Sequence, residues 1–482
     1  MTRILDRVIV IGLLGAIVVA PWLFGSVEFY ARHLLTVWLL VLLLLWNVKA
    51  MRERQWILQL TPIHGVLVAF VLVAVMQSLP LGPLLSRPSF PSIPDTRSLA
   101  EATSLSLDPA TTRRTAVTLA TLVGYFFLAT HFLATRRRLL ATVIVLILLG
   151  FSIALVGVIH KLTSNGKLLW FRDVEAIEIA FGPFVNRNHF AGFIEMILPL
   201  PLALIVAQGV ARDKWILYGF LTVALGTALV LSASRGALVV LAAQLVALPV
   251  LSRWMSQQHG QRAEDASCSV APRGRRFPRP TVRAAAGVVI LVAGISLGVV
   301  WIGAEPVISR FSSANPDMRS QKDEAMTAAT DTGESLSRPT IWRTTMRMIR
   351  DHPFLGVGLG AYPVAYTRYD EATGFYRVEQ AHNDYLQIIA EAGVIGLLLL
   401  IAFMIAVGRA AGAALASPMV VERSLALGAA LGCWGIAVHS LFDFNLQVPA
   451  NALLFLLLVA ILTILGSEKS PGVLTRSESR SI

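Results

Sequence analysis

Four short stretches carry polar residues that the rest of an apolar chain does not call for. They are NRNHFAG at 186–192, LSASRGAL around Arg235, SRPTIWRTTMRMIRDHPFLGVGLGAY from Ser337, and AHNDYLQIIAEAGVIG around His382. Arginine stays charged at any working pH, and its planar fork matches two phosphate oxygens at once. Histidine, with an ordinary pKa of about 6.5, can take a proton from an attacking hydroxyl. Arginines holding a lipid pyrophosphate as leaving group, beside a histidine base for an acceptor alcohol, amount to glycosyl transfer without a metal. The guanidinium charge would offset the negative charge growing on the departing pyrophosphate. The chain has no HExxH and no Walker loop, and no carboxylate pair of the metal-binding sort lies near these stretches. No metal and no other cofactor is therefore expected.

The elements that must position these residues are membrane helices. Of 482 residues, 55% are hydrophobic and 15% charged, an apolar share too high for soluble cores. Apolar stretches near the length of about 20 residues that spans a bilayer run at 8–24, 34–48, 63–79, 116–133, 139–160, 190–208, 215–231, 236–251, 284–304, 394–408, 425–441 and 450–466. The expected fold is an all-α polytopic membrane protein of about twelve transmembrane helices with a large, partly helical external loop. Its parts are helices one to nine (1–304), the loop (305–393), helices ten to twelve (394–466) and a tail (467–482). The first stretch follows Arg3 and Arg7 but lacks a small-residue cleavage pattern, so it reads as a retained helix and not a secretory signal.

A net charge of +12 suggests nucleic acid until the charges are placed. With both termini cytoplasmic, the inner connections have about twice the Lys/Arg density of the outer ones, through Lys49, Arg52, Arg54, the run 136–138 and the cluster 273–283. The surplus then sits inside and the outer side is near neutral, so the basicity is a topology signal and no nucleic-acid partner is expected. Cys268 and Cys433 have neither the spacing of a zinc site nor a shared segment.

On this topology the polar stretches gather at the outer face. The longest outer connection, 305–393, exceeds any simple linker, and its first third is polar. Within the part from Ser337, Trp342, Met346 and Ile349 recur at helical spacing, with Arg343, Arg347 and Arg350 one residue on. This reads as an amphipathic helix lying on the membrane or capping the bundle. The tenth span begins ahead of its apolar run, at Tyr385, which includes Glu391 and puts His382 and Asn383 at the surface. Gly393 and Gly396 suit close helix packing. Each residue also has a bland reading. A histidine at a span end such as His439 is commonly interfacial, Arg235 can snorkel to headgroups, and Asn188 or Asp443 can cap helices.

The chain resembles the bacterial O-antigen ligase and O-antigen polymerase superfamily along nearly its whole length. The most specific motif is His382, Asn383, nine residues, Gly393, two residues and Gly396. Arg338 with Trp342, then Pro353, Gly356 and Gly358, is similar to the family's R-x-x-x-W and P-x-x-G-x-G run, and SASRGAL and NRNHFAG look like further signatures. The resemblance implies a GT-C-like enzyme of the inner (plasma) membrane that moves a glycan from undecaprenyl pyrophosphate at the periplasmic face, inverting and metal-independent. It implies His382 as the base for the acceptor hydroxyl and Arg235 and Arg338 on the donor pyrophosphate, with Arg343 able to substitute for Arg338. Asn188, Asn383, Glu391 and His439 are supporting candidates.

The implied partners are the lipid-linked glycan donor, a glycan or lipid A core acceptor, membrane lipids and other polysaccharide assembly proteins. The acceptor separates two readings of near-equal standing: lipid A core for a ligase, and a second lipid-linked unit for a polymerase, which a likeness to members of exopolysaccharide systems raises a little. A third class, a secondary transporter of glycan or lipid-linked substrate, usually carries related repeats and broken spans at midplane, and neither the histidine motif nor the arginine helix recurs.

Overall fold

The protein is seen in a computed structural model that describes residues 2–56, 58–80, 104–174, 177–266, 280–302, 338–370 and 378–467. The polar start of the long loop, Cys268, the basic run at 273–279 and the tail beyond 467 lie outside them. Among the described residues every regular element is helical, apart from two isolated bridges. The helices are α1 (Thr2–Trp22), α2 (Phe29–Glu53), α3 (Pro62–Ser78), α4 (Pro109–Phe132), α5 (Arg136–Thr163), α6 (Arg187–Ile197), α7 (Pro199–Val206) and α8 (Trp215–Leu231). They continue with α9 (Arg235–Ala266), α10 (Pro280–Ile302), α11 (Arg338–Asp351), α12 (Tyr362–Tyr369), α13 (Asp384–Leu415), α14 (Val420–His439) and α15 (Pro449–Gly466).

Among the described residues, eleven helical stretches are long and apolar enough to cross a membrane, α6 and α7 counting as one, and α3 is a shorter apolar helix of 17 residues. The chain is an all-α multi-pass membrane protein. In hydrocarbon, backbone groups must bond within the segment, which only a helix allows here. Ends are marked locally: Asp108 accepts from Thr111 N at 3.0 Å to cap α4, and Pro62, Pro109 and Pro449 occupy first turns where no N–H is missed. At the far end of the bundle from His382, Lys49 of α2 pairs with Asp6 of α1 at 2.7 Å, and Arg138 of α5 joins Asp6 at 3.3 Å.

The centre is formed by α6, α7, α14 and α15, which are mostly buried, while α2 and α10 expose Leu40, Leu44, Leu297 and Trp301 as a lipid-facing surface does. α14 runs backbone against backbone on α6, since a side chain at Gly432 would strike the Met196 carbonyl. The sixth span, read from sequence as one helix, is divided at Leu198, because Pro199 and Pro201 supply no N–H to carry the ladder across.

The loop helix α11 caps the bundle. Its buried face is Ile341, Thr344, Thr345 and Met348, while Met346 is exposed and Trp342 and Ile349 are half-buried. The register differs from the apolar spacing because Thr345 is carried inward: its hydroxyl meets Ile341 O at 2.8 Å and Tyr362 Oη at 2.7 Å. α11 thus packs on Tyr362 and Tyr366 of α12 and on Ala390 of α13.

α13 begins at Asp384, within one residue of the expected start, and is broken at Gly393, whose φ of 59° and ψ of −151° belong to glycine. This corrects the reading of Gly393 as a helix-packing glycine. A side chain there would collide with the Phe354 carbonyl. The loop repairs the break: Val394 N donates to Pro353 O at 2.8 Å, Val357 N to Ala390 O at 2.9 Å and Gly358 N to Glu391 O at 2.9 Å. Gln77, in the last turn of α3, fastens the repair by donating to Leu355 O at 2.7 Å and Glu391 O at 2.9 Å and accepting from Leu359 N at 2.9 Å. Non-helical backbone at the membrane edge is tolerated here because protein encloses it.

Candidate active site

His382 stands just before α13 with a φ of 50°, a strained value for a residue with a Cβ. Its neighbours hold it there. Asn383 caps the helix by accepting from Tyr385 N and Leu386 N, both at 3.0 Å, and donates to Leu441 O at 3.2 Å. Ala381 N donates to Gln387 Oε1 at 3.1 Å, and Ala381 O accepts from Trp342 Nε1 at 2.9 Å.

The imidazole Nδ1 donates to Asp443 Oδ1 at 3.3 Å, and the ring meets Phe444 edge-on at 5.0 Å. Asp443, in the turn between α14 and α15, is the meeting point of the site. Asn188 Nδ2 donates to its Oδ2 at 2.6 Å, Phe444 N to its Oδ1 at 3.0 Å, and Arg338 Nη2 lies 3.9 Å from Oδ2. Burial alone would raise this carboxyl, but the His382 hydrogen bond and the nearby histidines outweigh it and hold it below the ordinary carboxylate range. It is therefore an anion that orients the His382 ring through Nδ1. The Asp443 side chain is 1% exposed, whereas His382 at 35% and Arg338 at 44% open toward solvent.

A second acid–histidine pair is sealed beneath. His439 Nδ1 meets both oxygens of Glu195, at 2.9 and 3.0 Å, with both side chains buried. The edge of His439 abuts Gly236, where a Cβ would come within 2.9 Å of Nε2. Arg235, the exposed first residue of α9, is thus seated over this pair, after a turn in which Ala233 has a φ of 52°. Asp384 is buried two residues after His382 and accepts from Ser440 Oγ at 2.8 Å.

Of the residues singled out from sequence, the structure joins His382, Arg338 and Asn188 on Asp443. Arg235 and His439 are adjacent through Gly236. Asn383 is a cap. Glu391 is buried and serves the loop, accepting from Gln387 Nε2 at 3.1 Å and from the backbone of Gly360 and Tyr362. Arg343 is exposed on α11 and belongs to no part of the Asp443 group. Among the described residues, no group of three His, Cys, Asp or Glu side chains is placed to hold a metal.

Sequence reasoning gave no catalytic weight to Asp443, Trp342 or Gln77. Asp443 had a usable signal, an acid four residues after His439 at an outer turn. Gln77 had a fainter one, a lone amide closing an apolar helix.

A multi-pass helical bundle with a histidine, a carboxylate and arginines gathered at one end defines a membrane protein with a polar site at the bilayer edge. Residues 220–401 match the family model described as O-antigen ligase, which supports membership of the O-antigen ligase and polymerase superfamily. The matched stretch runs from α8 into α13 and so contains Arg235, Arg338, Arg343 and His382, while Asn188 and Asp443 lie outside it. No curated protein matches the chain. The match supports a glycosyl-transferring enzyme.

Proposed function

We propose that the protein transfers a glycan from undecaprenyl pyrophosphate to an acceptor hydroxyl at the periplasmic face of the bacterial inner membrane, with inversion and without a metal. The observation that carries this is the convergence of His382 and Arg338 on Asp443 at one end of the bundle. With Nδ1–H committed to Asp443, the Nε2 lone pair of His382 takes the proton of the acceptor hydroxyl as its oxygen attacks the anomeric carbon. The bond from that carbon to the phosphate oxygen breaks, and the pyrophosphate leaves as an anion. Arg338 and Arg235 bind it and stabilise the charge it gains, which is the role a metal would otherwise fill. Arg338 is 3.9 Å from Asp443, beyond hydrogen-bond reach, so its fork remains suited to phosphate oxygens. A single displacement from the face opposite the leaving group inverts the anomeric centre.

The acceptor is lipid A core if the enzyme is a ligase and a second lipid-linked unit if it is a polymerase. Incubation with one lipid-linked repeat unit decides between them: longer chains mean polymerase, and no product until a distinct acceptor is added means ligase. His382→Ala and Arg235→Ala should abolish transfer while the protein still reaches the membrane. Full activity in either variant would overturn its assigned role. Chelator should leave the rate unchanged, and loss restored by magnesium would refute metal independence.

A further inference from the structure

Between α2, α4 and the start of α15 lies a crevice of about 350 Å³ that the catalytic group does not use. Arg32 of α2 and Arg114 of α4 both line it, together with Thr115, Thr118, Leu446 and Gln447. None of its described lining residues is acidic. Arg32 is pinned at the rim, Nε and Nη2 donating to Val27 O at 3.0 and 2.6 Å, and the Arg114 guanidinium has no partner among the described residues. Phe29, Leu119 and Leu122 line the same crevice and give it an apolar wall. Two cations beside an apolar wall on the flank of a membrane bundle match one ligand chemistry, a lipid whose headgroup carries phosphate.

The crevice is tied to the reaction through its wall. Leu446 N bonds Asp384 Oδ2 at 3.4 Å, two residues beyond His382, and the same turn carries Asp443 three residues earlier. The donor pyrophosphate, on the reading above, belongs to Arg235 and Arg338 on α9 and α11. A transferase needs two substrates, and the arginines of α2 and α4 line a cleft of their own. We propose that this crevice holds the acceptor lipid, its phosphate on Arg32 and Arg114 and its chain along Phe29, Leu119 and Leu122, with its sugar presented at His382. This assignment of acceptor over donor rests on the proposed function; the binding of a phosphorylated lipid does not.

The test uses the full chain in phosphatidylcholine nanodiscs, with a photoreactive benzoylphenylalanine in place of Leu122 and radiolabelled phosphatidic acid as probe. Illumination should attach the probe, and Arg32→Gln with Arg114→Gln should lower labelling about tenfold while Arg114→Lys retains it. Equal labelling with and without the arginines overturns the site. Displacement of the probe by millimolar inorganic phosphate would show an anion site indifferent to the lipid, and would also overturn it. His382→Ala should leave labelling intact, so failed labelling and failed transfer are distinct results. In turnover, Arg114→Gln should raise the acceptor KM about tenfold with kcat and the donor KM unchanged. A rise in the donor KM instead would overturn the assignment to the acceptor.

Discussion

Trp342 donates its indole N–H to the carbonyl of Ala381 at 2.9 Å, one peptide before His382. The R-x-x-x-W pattern of α11 thereby acquires a mechanical meaning: its arginine stands 3.9 Å from Asp443 while its tryptophan holds the backbone that presents the histidine. Trp342→Phe keeps most of the ring and deletes the donor. A single hydrogen bond contributes about 0.5–1.5 kcal/mol, but displacement of a base by a fraction of an ångström costs more in rate than in stability. Transfer by Trp342→Phe should fall about tenfold in kcat, with the donor KM and thermal stability close to those of the parent. Unaltered kcat would show that His382 is positioned without it.

Asp443→Asn removes the anion that orients His382 and faces Arg338, and turnover should drop at least about a hundredfold while the protein remains folded. The pH dependence of stability tests the charge itself. A carboxyl held below its ordinary range contributes stability that is complete above the unfolded value of about 3.9 and is lost only as pH falls toward the folded value. The gap in melting temperature between parent and Asp443→Asn should therefore be constant from about pH 5 to 8 and narrow below about pH 4. A gap that closes already between about pH 7 and 5 would mean the carboxyl is not depressed.

The membrane helices were legible because a span is a one-dimensional signal: a run of apolar residues long enough to cross a bilayer is visible without knowing its neighbours. His382 and Arg338 stood out through motif spacing, and the structure brings both to Asp443. Asp443 did not stand out, because its importance comes from its contacts. It lies 61 residues from His382 and 255 from Asn188, and only packing of α6 and α13 against the α14–α15 turn reveals that all three meet. The buried face of α11 was misread for a related reason. Periodicity favours apolar side chains, and the structure instead buries two threonines whose hydroxyl needs are met at hand, Thr345 by Tyr362 and its own helix. The break at Gly393 was invisible because helical periodicity continues on both sides of it.

Gly393→Ala should be among the most damaging single substitutions in the chain. Alanine must either leave the φ and ψ that the broken helix requires or push against the carbonyl of Phe354. Strain in that region alone costs about 1–3 kcal/mol, and the three backbone bonds that tie the loop to α13 depend on the same geometry. Lower yield and a markedly lower melting temperature in detergent are expected. Gly408→Ala, in the same helix with nothing near its missing Cβ, serves as control and should be neutral or slightly stabilising. Similar behaviour of the two variants would contradict the break.

The buried pair of Glu195 and His439 admits a test that separates support from chemistry. Removing one partner strands the other in an apolar interior, which typically costs about 3–5 kcal/mol, whereas replacing both with apolar side chains of similar size is often close to neutral. Glu195→Leu and His439→Leu should each unfold at lower temperature than the parent, and the double variant should recover most of the loss. If the pair acts only by seating Gly236 and with it Arg235, the recovered double variant should also regain transfer, with any deficit confined to the donor KM. A double variant that is stable yet has lost kcat would instead give the pair a part in moving the acceptor proton, since Asp443 N bonds the His439 carbonyl at 3.1 Å and links the buried pair to the dyad above it.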